Sequence, residues 1–164
     1  YNESGVYLTF DEAPSSLKAT AMRLGMNLEK LEEARNPNQV AISLSGEPTL
    51  YDPLQDLIEE FQKLNFTTFV VSNGTNPKKL EEIKPTQLYM TLPAPDEETY
   101  LKTCNPLIED GWKRINESLE IMRNKKVRTV IRLTLVRGLN MKNPKDYAKL
   151  IEKAKISVKN AYHI

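Results

Sequence analysis

Cysteine and histidine are nearly absent from this sequence. Its 164 residues include one cysteine, Cys104, and one histidine, His163. A single thiol cannot form a disulfide within the chain, and it cannot supply a metal site built only from cysteines. We therefore assign no metal ligands, and we assign no role to His163.

The sequence also lacks a charge excess and a long apolar run. Lys and Arg total 23 and Asp and Glu total 22, which gives a net charge of +1. No overall positive field therefore indicates nucleic acid binding, and an RNA site would have to be a local patch. No apolar run approaches the roughly 20 residues that span a bilayer. The first residues carry no basic-then-apolar signal segment. We expect a cytosolic chain without membrane contact.

What the sequence does contain is a regular alternation of apolar strands and amphipathic helices. Nearly continuous apolar strands between helices are typical of a parallel sheet with helices outside it. We predict one α/β domain over residues 1–164 with about six β/α units. Right-handed crossovers then allow either a partial parallel (β/α)6 barrel or an open doubly wound sheet. The clearest strands are predicted at 40–45, 66–71, 86–92 and 127–136.

The predicted helices follow from apolar residues spaced three and four apart. We expect the first clear one to begin at Asp52 and Pro53, with Asp52 as its N-cap. Its buried stripe is predicted to consist of Leu54, Leu57, Ile58, Phe61 and Leu64. Further helices are predicted at about 77–83, 96–103, 112–122 and 144–154.

Polar residues stand where several predicted strands end. Gly46, Glu47 and Pro48 close the first clear strand, since a proline cannot donate to a sheet ladder. Asn73 follows the next strand, and Arg132 and Thr134 lie late in the last one. The carboxyl ends of parallel strands converge on one face, where ligands bind. Such a set offers acceptors to an ammonium group and donors to a carboxylate. The alternatives are a plain turn at Gly46–Pro48, a helix N-cap at Asn73 and a surface ion pair at Arg132.

Several of these segments, in this order, strongly resemble the tRNA wybutosine-synthesising enzyme 1 family. The likeness covers about residues 36–164, and the family comprises radical S-adenosylmethionine (SAM) enzymes that make 4-demethylwyosine in tRNA. It favours the partial barrel over the open sheet. The segments that carry it are Ser45-Gly-Glu-Pro-Thr-Leu-Tyr51, Val71-Ser-Asn-Gly-Thr75, Pro85-Thr-Gln-Leu-Tyr89, Gly111-Trp112 and Ile131-Arg-Leu-Thr-Leu-Val-Arg-Gly138.

The resemblance implies a reaction and a set of binding residues. The parent reaction uses SAM, pyruvate and a [4Fe–4S] cluster on N1-methylguanosine of tRNA. Ser45 and the Gly46-Glu47-Pro48 motif match the part that holds the SAM amino group. Asn73 matches a contact to ribose or carboxylate, and Arg132 or Thr134 matches a contact to the methionyl carboxylate. The resemblance assigns no catalytic residue in this chain.

One essential part of the family pattern is missing. Radical SAM enzymes hold their cluster with three cysteines of a CxxxCxxC loop after the first strand. The equivalent loop here, Asp11-Glu-Ala-Pro-Ser-Ser16, contains none. We therefore expect that the chain as given does not bind the cluster and is inactive. A SAM- or RNA-binding module without turnover, and a β/α scaffold without a site, remain alternatives.

The first 33 residues resemble a different family. The segment Gly5-Val-Tyr-Leu-Thr-Phe-Asp-Glu-Ala-Pro14 is similar to RecA-like ATPases of the KaiC type, whose tandem acidic pair corresponds to Asp11 and Glu12. That resemblance would make the chain a chimera of residues 1–35 and 36–164. No phosphate-binding G-x-x-x-x-G-K-[ST] loop occurs in the sequence, so an acidic turn is the simpler interpretation and we predict no ATPase activity.

Overall fold

A four-stranded parallel sheet forms the centre of the structure. The structure is a computed structural model, and it describes residues 37–43 and 46–153. The strands are β1 (Gln39–Ile42), β2 (Thr67–Ser72), β3 (Gln87–Thr91) and β4 (Arg128–Arg132). The helices are α1 (Leu54–Lys63), α2 (Pro77–Glu82), α3 (Glu97–Cys104), α4 (Gly111–Asn124) and α5 (Pro144–Lys153). A short 3₁₀ turn, Pro48–Leu50, follows β1. No helix of the described ranges is long and apolar enough to cross a membrane.

The strands lie side by side in the order β1-β2-β3-β4, and every neighbouring pair is parallel. The predicted α/β fold with a parallel sheet is therefore confirmed. In the register, Val70 pairs with Leu88, and Thr91 pairs with Arg132. Because parallel partners point to the same side of a sheet, this register decides which residues share a face. The predicted strand at 5–10, the helical stripe between Leu17 and Leu31 and the last strand at 156–162 lie outside the described residues.

One face of the sheet packs against the helices and forms the core. Val70, Leu88 and Met90 point to this face and are fully buried. Burial of such a side chain contributes about 1.5–3 kcal/mol relative to exposure. The helical side chains of this core are Leu54 and Ile58 from α1, Leu80 from α2, Tyr100 from α3, Ile115, Leu119 and Met122 from α4, and Tyr147 and Leu150 from α5.

The opposite face is lined by alternate residues of the same strands and is more open. The rings of Phe69 and Tyr89 lie there side by side, with centroids 6.1 Å apart. Val71 is half-buried, and Val130 is buried on this face although it is not part of the helix-side core. A sheet that carries apolar residues on both faces is expected for a parallel α/β fold.

The last strand is shorter than predicted. We expected it over 127–136, but β4 ends at Arg132. The last backbone hydrogen bond between the β3 and β4 segments runs from the Leu92 amide to the Arg132 carbonyl (2.9 Å). Ala94 would donate next, but it lies between Pro93 and Pro95, whose rings restrict the backbone, and it makes no hydrogen bond to the segment after β4. The ladder therefore stops, even though the residues after Arg132 are apolar.

Two predictions about α1 are also wrong. The N-cap position is Pro53 rather than Asp52, and no side chain caps the helix. Leu64 lies just beyond the end of α1 and is 66% exposed, because the helix stops at Lys63 before Leu64 can turn inward. Leu54 and Ile58 are buried as predicted, and Leu57 and Phe61 are half-buried.

Candidate ligand site at the carboxyl end of the sheet

The loop after β1 is built around the carboxylate of Glu47. This residue caps the short turn Pro48–Leu50, and its Oε1 accepts hydrogen bonds from the Thr49 amide (3.2 Å) and the Thr49 hydroxyl (2.7 Å). Pro48 suits the first position of such a turn because its φ is fixed and its missing N–H is not needed there. Gly46 precedes the cap with φ +91°, which a residue with a side chain rarely adopts. Ser45 lies outside the described residues.

The same carboxylate joins the loop after β1 to the end of β2. Oε1 of Glu47 also accepts from the Ser72 hydroxyl (2.7 Å), and Oε2 accepts from the Asn73 amide (2.7 Å). Four protein donors therefore meet one carboxylate. The Glu47 carboxylate therefore holds the ends of β1 and β2 together. Because four protein groups already donate to it, it has little remaining capacity to accept a hydrogen bond from a ligand's ammonium group. The Gly46 carbonyl, by contrast, accepts no hydrogen bond from the described part of the chain.

The loop after β2 is fixed by its own side chains. Oδ1 of Asn73 accepts from the Thr75 amide (2.9 Å) and the Thr75 hydroxyl (2.6 Å), which makes a local turn. The N-cap of α2 is Asn76, whose Oδ1 accepts from the Lys79 amide (3.3 Å). The alternative that Asn73 caps this helix is therefore wrong. Asn73 is exposed, and its side-chain nitrogen Nδ2 has no hydrogen-bond partner among residues 37–43 and 46–153.

Helix α4 holds the loop after β2 through one buried hydrogen bond. The hydroxyl of Ser118, which is fully buried, donates to the Gly74 carbonyl over 2.7 Å. Asn76 Nδ2 donates to the Thr49 carbonyl (2.9 Å), a second link between the two loops. Ser72 was expected at this edge with Asn73, whereas Asn76 and Ser118 were not predicted as parts of the site. Ser118 had one available signal, because it is a polar residue on the inward face of an otherwise apolar stripe.

Arg132 and Thr134 lie at the same edge of the sheet. Thr91 pairs with Arg132 across β3 and β4, and Ser72 pairs with Met90 across β2 and β3. Asn73, Thr91 and Arg132 thus follow one row across three strands. Two strand spacings separate the Asn73 and Arg132 backbones by about 10 Å. The structure therefore brings Glu47 and Asn73 into contact, with Arg132 across the row.

The guanidinium of Arg132 is exposed and available. None of the ion pairs in the described ranges includes it, so the alternative of a surface ion pair is not realised there. Thr134 is also exposed, and its carbonyl accepts from Asn140 Nδ2. The edge thus offers a cationic donor at one end of the row and free carbonyl and amide groups at the other.

The described residues do not provide the ligand set of an iron–sulfur cluster. Among the described residues, no group of three His, Cys, Asp or Glu side chains is arranged to hold a metal ion. Cys104 is the single cysteine of the sequence and ends α3, where partial burial raises the pKa of its thiol. A raised pKa disfavours the thiolate that ligates iron. A [4Fe–4S] cluster of the radical SAM type needs three such ligands.

Comparison with known proteins shows clear relatives. The chain is 57% identical over 132 residues to the S-adenosyl-L-methionine-dependent tRNA 4-demethylwyosine synthase of Pyrococcus horikoshii, covering 77% of this chain and 39% of that protein. It is 48% identical over 124 residues to the synthase of the same name from Methanocaldococcus jannaschii, covering 76% and 38%. The chain thus spans about two fifths of the length of these relatives.

A solved structure of TYW1 with a lysine-pyruvate adduct bound has the same fold. It superimposes with a TM-score of 0.74 and 43% sequence identity, covering 86% of this chain and 46% of that one. This match agrees with the partial-barrel form of the predicted fold rather than with an open doubly wound sheet.

The family model for the radical SAM superfamily matches residues 9–151. The matched range includes the boundary near residues 33–36, where we expected a KaiC-like segment to meet the rest. The comparisons therefore give no support to the KaiC resemblance or to a chimeric chain. Since the match covers most of the sequence and agrees with the parallel fold and its polar edge, the chain belongs to the radical SAM superfamily.

Proposed function

We propose that this chain binds SAM at the carboxyl end of its sheet, as part of a radical SAM core of the kind found in tRNA 4-demethylwyosine synthases. The observation that carries the proposal is the hydrogen-bond network of the Glu47 carboxylate. It fixes the loops after β1 and β2 against each other and leaves the Gly46 carbonyl and the Asn73 side-chain amide nitrogen exposed beside them.

The polar groups at this edge complement a zwitterionic amino acid. The Gly46 carbonyl accepts from the ammonium group, and Glu47 and Pro48 hold the backbone beside it in place. Arg132, supported by Thr134, donates to the carboxylate, and Asn73 Nδ2 donates to the ribose or the carboxylate. Both charges of the ligand need a partner, because an unpaired charge in a partly dry site is costly. The row of about 10 Å between Asn73 and Arg132 gives room for an extended ligand.

Calorimetric titration with SAM tests this site. Arg132→Ala should weaken binding by about ten- to one hundredfold, since hydrogen bonds to charged groups contribute about 1.5–3 kcal/mol. Arg128→Ala is the matched control, because Arg128 is exposed on the same strand and points to the same side, but lies at its amino end. Equal affinities of the two variants would contradict the assignment.

Glu47→Ala should also weaken SAM binding, although for a different reason. Removal of the carboxylate leaves the Asn73 amide and the Ser72 hydroxyl without their acceptor and frees the Gly46 turn. We expect a loss of affinity together with a loss of stability. Unchanged affinity would show that the turn does not take part in binding.

We further propose that the chain as given does not cleave SAM. In radical SAM enzymes the cluster supplies the electron for cleavage, and the one cysteine of this sequence cannot hold it. Anaerobic reconstitution with iron and sulfide, followed by dithionite and SAM, should yield no 5′-deoxyadenosine. Formation of that product would overturn this part of the proposal.

Pyruvate and tRNA are proposed as substrates of the complete enzyme to which this chain corresponds in part. The relatives' name places their activity on tRNA, and the related TYW1 structure contains a lysine-pyruvate adduct. Turnover in a mixture of this chain with pyruvate, SAM and tRNA is not expected, for want of the cluster.

A further inference from the structure

The buried side chain of Asn140 makes three hydrogen bonds outside the Glu47 network. It lies in the segment 133–143 between β4 and α5 and is 2% exposed. Its Oδ1 accepts from the Val136 amide (2.6 Å), and its Nδ2 donates to the carbonyls of Thr134 (2.9 Å) and Pro93 (2.7 Å). A buried side-chain amide without these partners would destabilise the fold. The three hydrogen bonds of Asn140 therefore hold the backbone of Pro93, Thr134 and Val136 in place.

The pattern of these bonds imitates a neighbouring strand. In a parallel ladder, one residue donates to the carbonyl before its partner residue and accepts from the amide after it. The side-chain amide of Asn140 does the same around Leu135, through Thr134 and Val136. It therefore takes the place of Ala94, which is the next residue after Leu92 in position to donate to this segment but makes no such bond. The backbone beyond Arg132 thus keeps a fixed course where the sheet has ended.

A second set of bonds fixes Asn140 itself. The buried hydroxyl of Tyr147, on α5, donates to the Asn140 carbonyl (2.8 Å). The Asn140 amide donates to the Val136 carbonyl (3.2 Å), which closes the turn at Gly138. Through these hydrogen bonds, Asn140 connects the ends of β3 and β4 to α5.

We propose that Asn140 is a positioning residue for the ligand's carboxylate, an inference that rests on the proposed SAM site. Asn140 is too deeply buried to contact the ligand. It acts through Thr134, whose carbonyl it holds, and through the segment that follows Arg132. A loose segment would let these two residues take many orientations, and fewer of them would meet the carboxylate.

The test compares SAM with decarboxylated SAM, which lacks only the carboxylate. Asn140→Ala should lower the affinity for SAM by about tenfold and change the affinity for decarboxylated SAM by no more than about twofold. The effect should resemble that of Arg132→Ala but be smaller. Asn140→Asp keeps the acceptor and loses both donors, so it should show the same selective loss. If Asn140→Ala does not fold, Asn140→Asp is used in its place for the same comparison.

Asn143→Ala is the matched control. Asn143 is exposed in the same segment, and its Oδ1 accepts from the Lys145 amide (3.0 Å) without contact to Thr134 or Val136. This variant should lose stability at the start of α5 while both ligands bind as before. Equal losses for SAM and decarboxylated SAM in Asn140→Ala would show a merely structural role and overturn the proposal.

Hydrogen exchange supplies a readout that needs no ligand. The Val136 amide should exchange about tenfold or more faster in Asn140→Ala than in the unaltered chain, and Asn143→Ala should leave it unchanged. Unchanged exchange at Val136 would also overturn the proposal. If the unaltered chain does not bind SAM, the proposed function and the positioning role both fail. If it binds SAM without the selective loss, only the positioning role fails.

Discussion

The Oε2 atom of Glu47 accepts a hydrogen bond from the Asn73 amide over 2.7 Å, which connects two loops that lie 26 residues apart in the chain. The other carboxylate oxygen binds Ser72 and Thr49. Glu47 therefore organises the edge of the sheet where we propose that SAM binds, whether or not it contacts the ligand.

Glu47→Gln should reveal this organising role in the stability of the protein. A glutamine cannot satisfy both sides, because its side-chain nitrogen would face the backbone N–H of either Asn73 or Thr49, and neither group can accept a hydrogen bond. We expect the free energy of unfolding to fall by about 1–3 kcal/mol, measured by urea denaturation. Glu120→Gln is the control, since Glu120 is exposed on α4. A cost no larger than that of the control would contradict the network.

Gly74→Ala and Gly46→Ala form a matched pair. Both glycines have positive φ, +77° and +91°, so each alanine carries a backbone cost of about 1–2 kcal/mol. A Cβ at Gly74 would lie 2.7 Å from Sδ of the fully buried Met90, whereas a Cβ at Gly46 has no neighbour within 4 Å. Gly74→Ala should therefore destabilise the protein more, by about 1–3 kcal/mol for the overpacking. Equal unfolding midpoints would show that Met90 moves aside freely.

Asp96 gives a prediction about pH. Its Oδ1 accepts from the Thr99 amide (2.8 Å) as the N-cap of α3, and this bond lowers the pKa of the Asp96 carboxyl. A lowered folded pKa means that the stabilisation is complete above the ordinary value near 3.8 and is lost as the pH falls through the folded pKa. Asp96→Ala should cost about 1 kcal/mol at neutral pH.

Chemical denaturation at several pH values checks this effect. The difference between Asp96→Ala and the unaltered chain should shrink as the carboxyl is protonated. Glu97→Ala serves as the control, because Glu97 is in the same first turn but does not cap the helix. A difference independent of pH down to about 2 would contradict a charged cap.

Cys104 should react slowly with alkylating reagents. Partial burial raises the pKa of its thiol, so the fraction of thiolate at pH 8 is smaller than in a free cysteine. Alkylation by iodoacetamide, followed by mass spectrometry, should be slower than that of a cysteine in a short peptide, and the difference should narrow as the pH rises. Cys104→Ser should not be labelled. Equal rates at pH 8 would contradict the raised pKa.

The order of strands and helices could be predicted from the sequence because it depends on local patterns. Runs such as Thr67–Ser72 alternate with helices whose apolar residues recur at fixed spacing, and each pattern reports its own segment. The placement of Glu47 and Asn73 at one edge followed from the parallel sheet alone. That the carboxylate is occupied by four protein donors could not be predicted, since two of them come from Ser72 and Asn73 on another strand.

The end of β4 shows the same limit. Leu133 and Leu135 have the composition of a strand, and their own sequence gives no reason to stop at Arg132. The reason lies about forty residues earlier, where Pro93 and Pro95 restrict the backbone around Ala94. It lies also beyond the strand, where Asn140 donates to the Thr134 carbonyl instead. Local composition predicts which residues favour a strand, but the partner decides where pairing ends.

The strand order has a consequence for folding during synthesis. Because β1, β2, β3 and β4 pair in the order in which they occur in the chain, each strand emerges from the ribosome next to a partner that is already available. Closure of each unit spans only the one or two helices between neighbouring strands, which keeps the entropic cost of the loop small. The sheet can therefore grow one unit at a time, and the Glu47 network can close as soon as Asn73 has been synthesised.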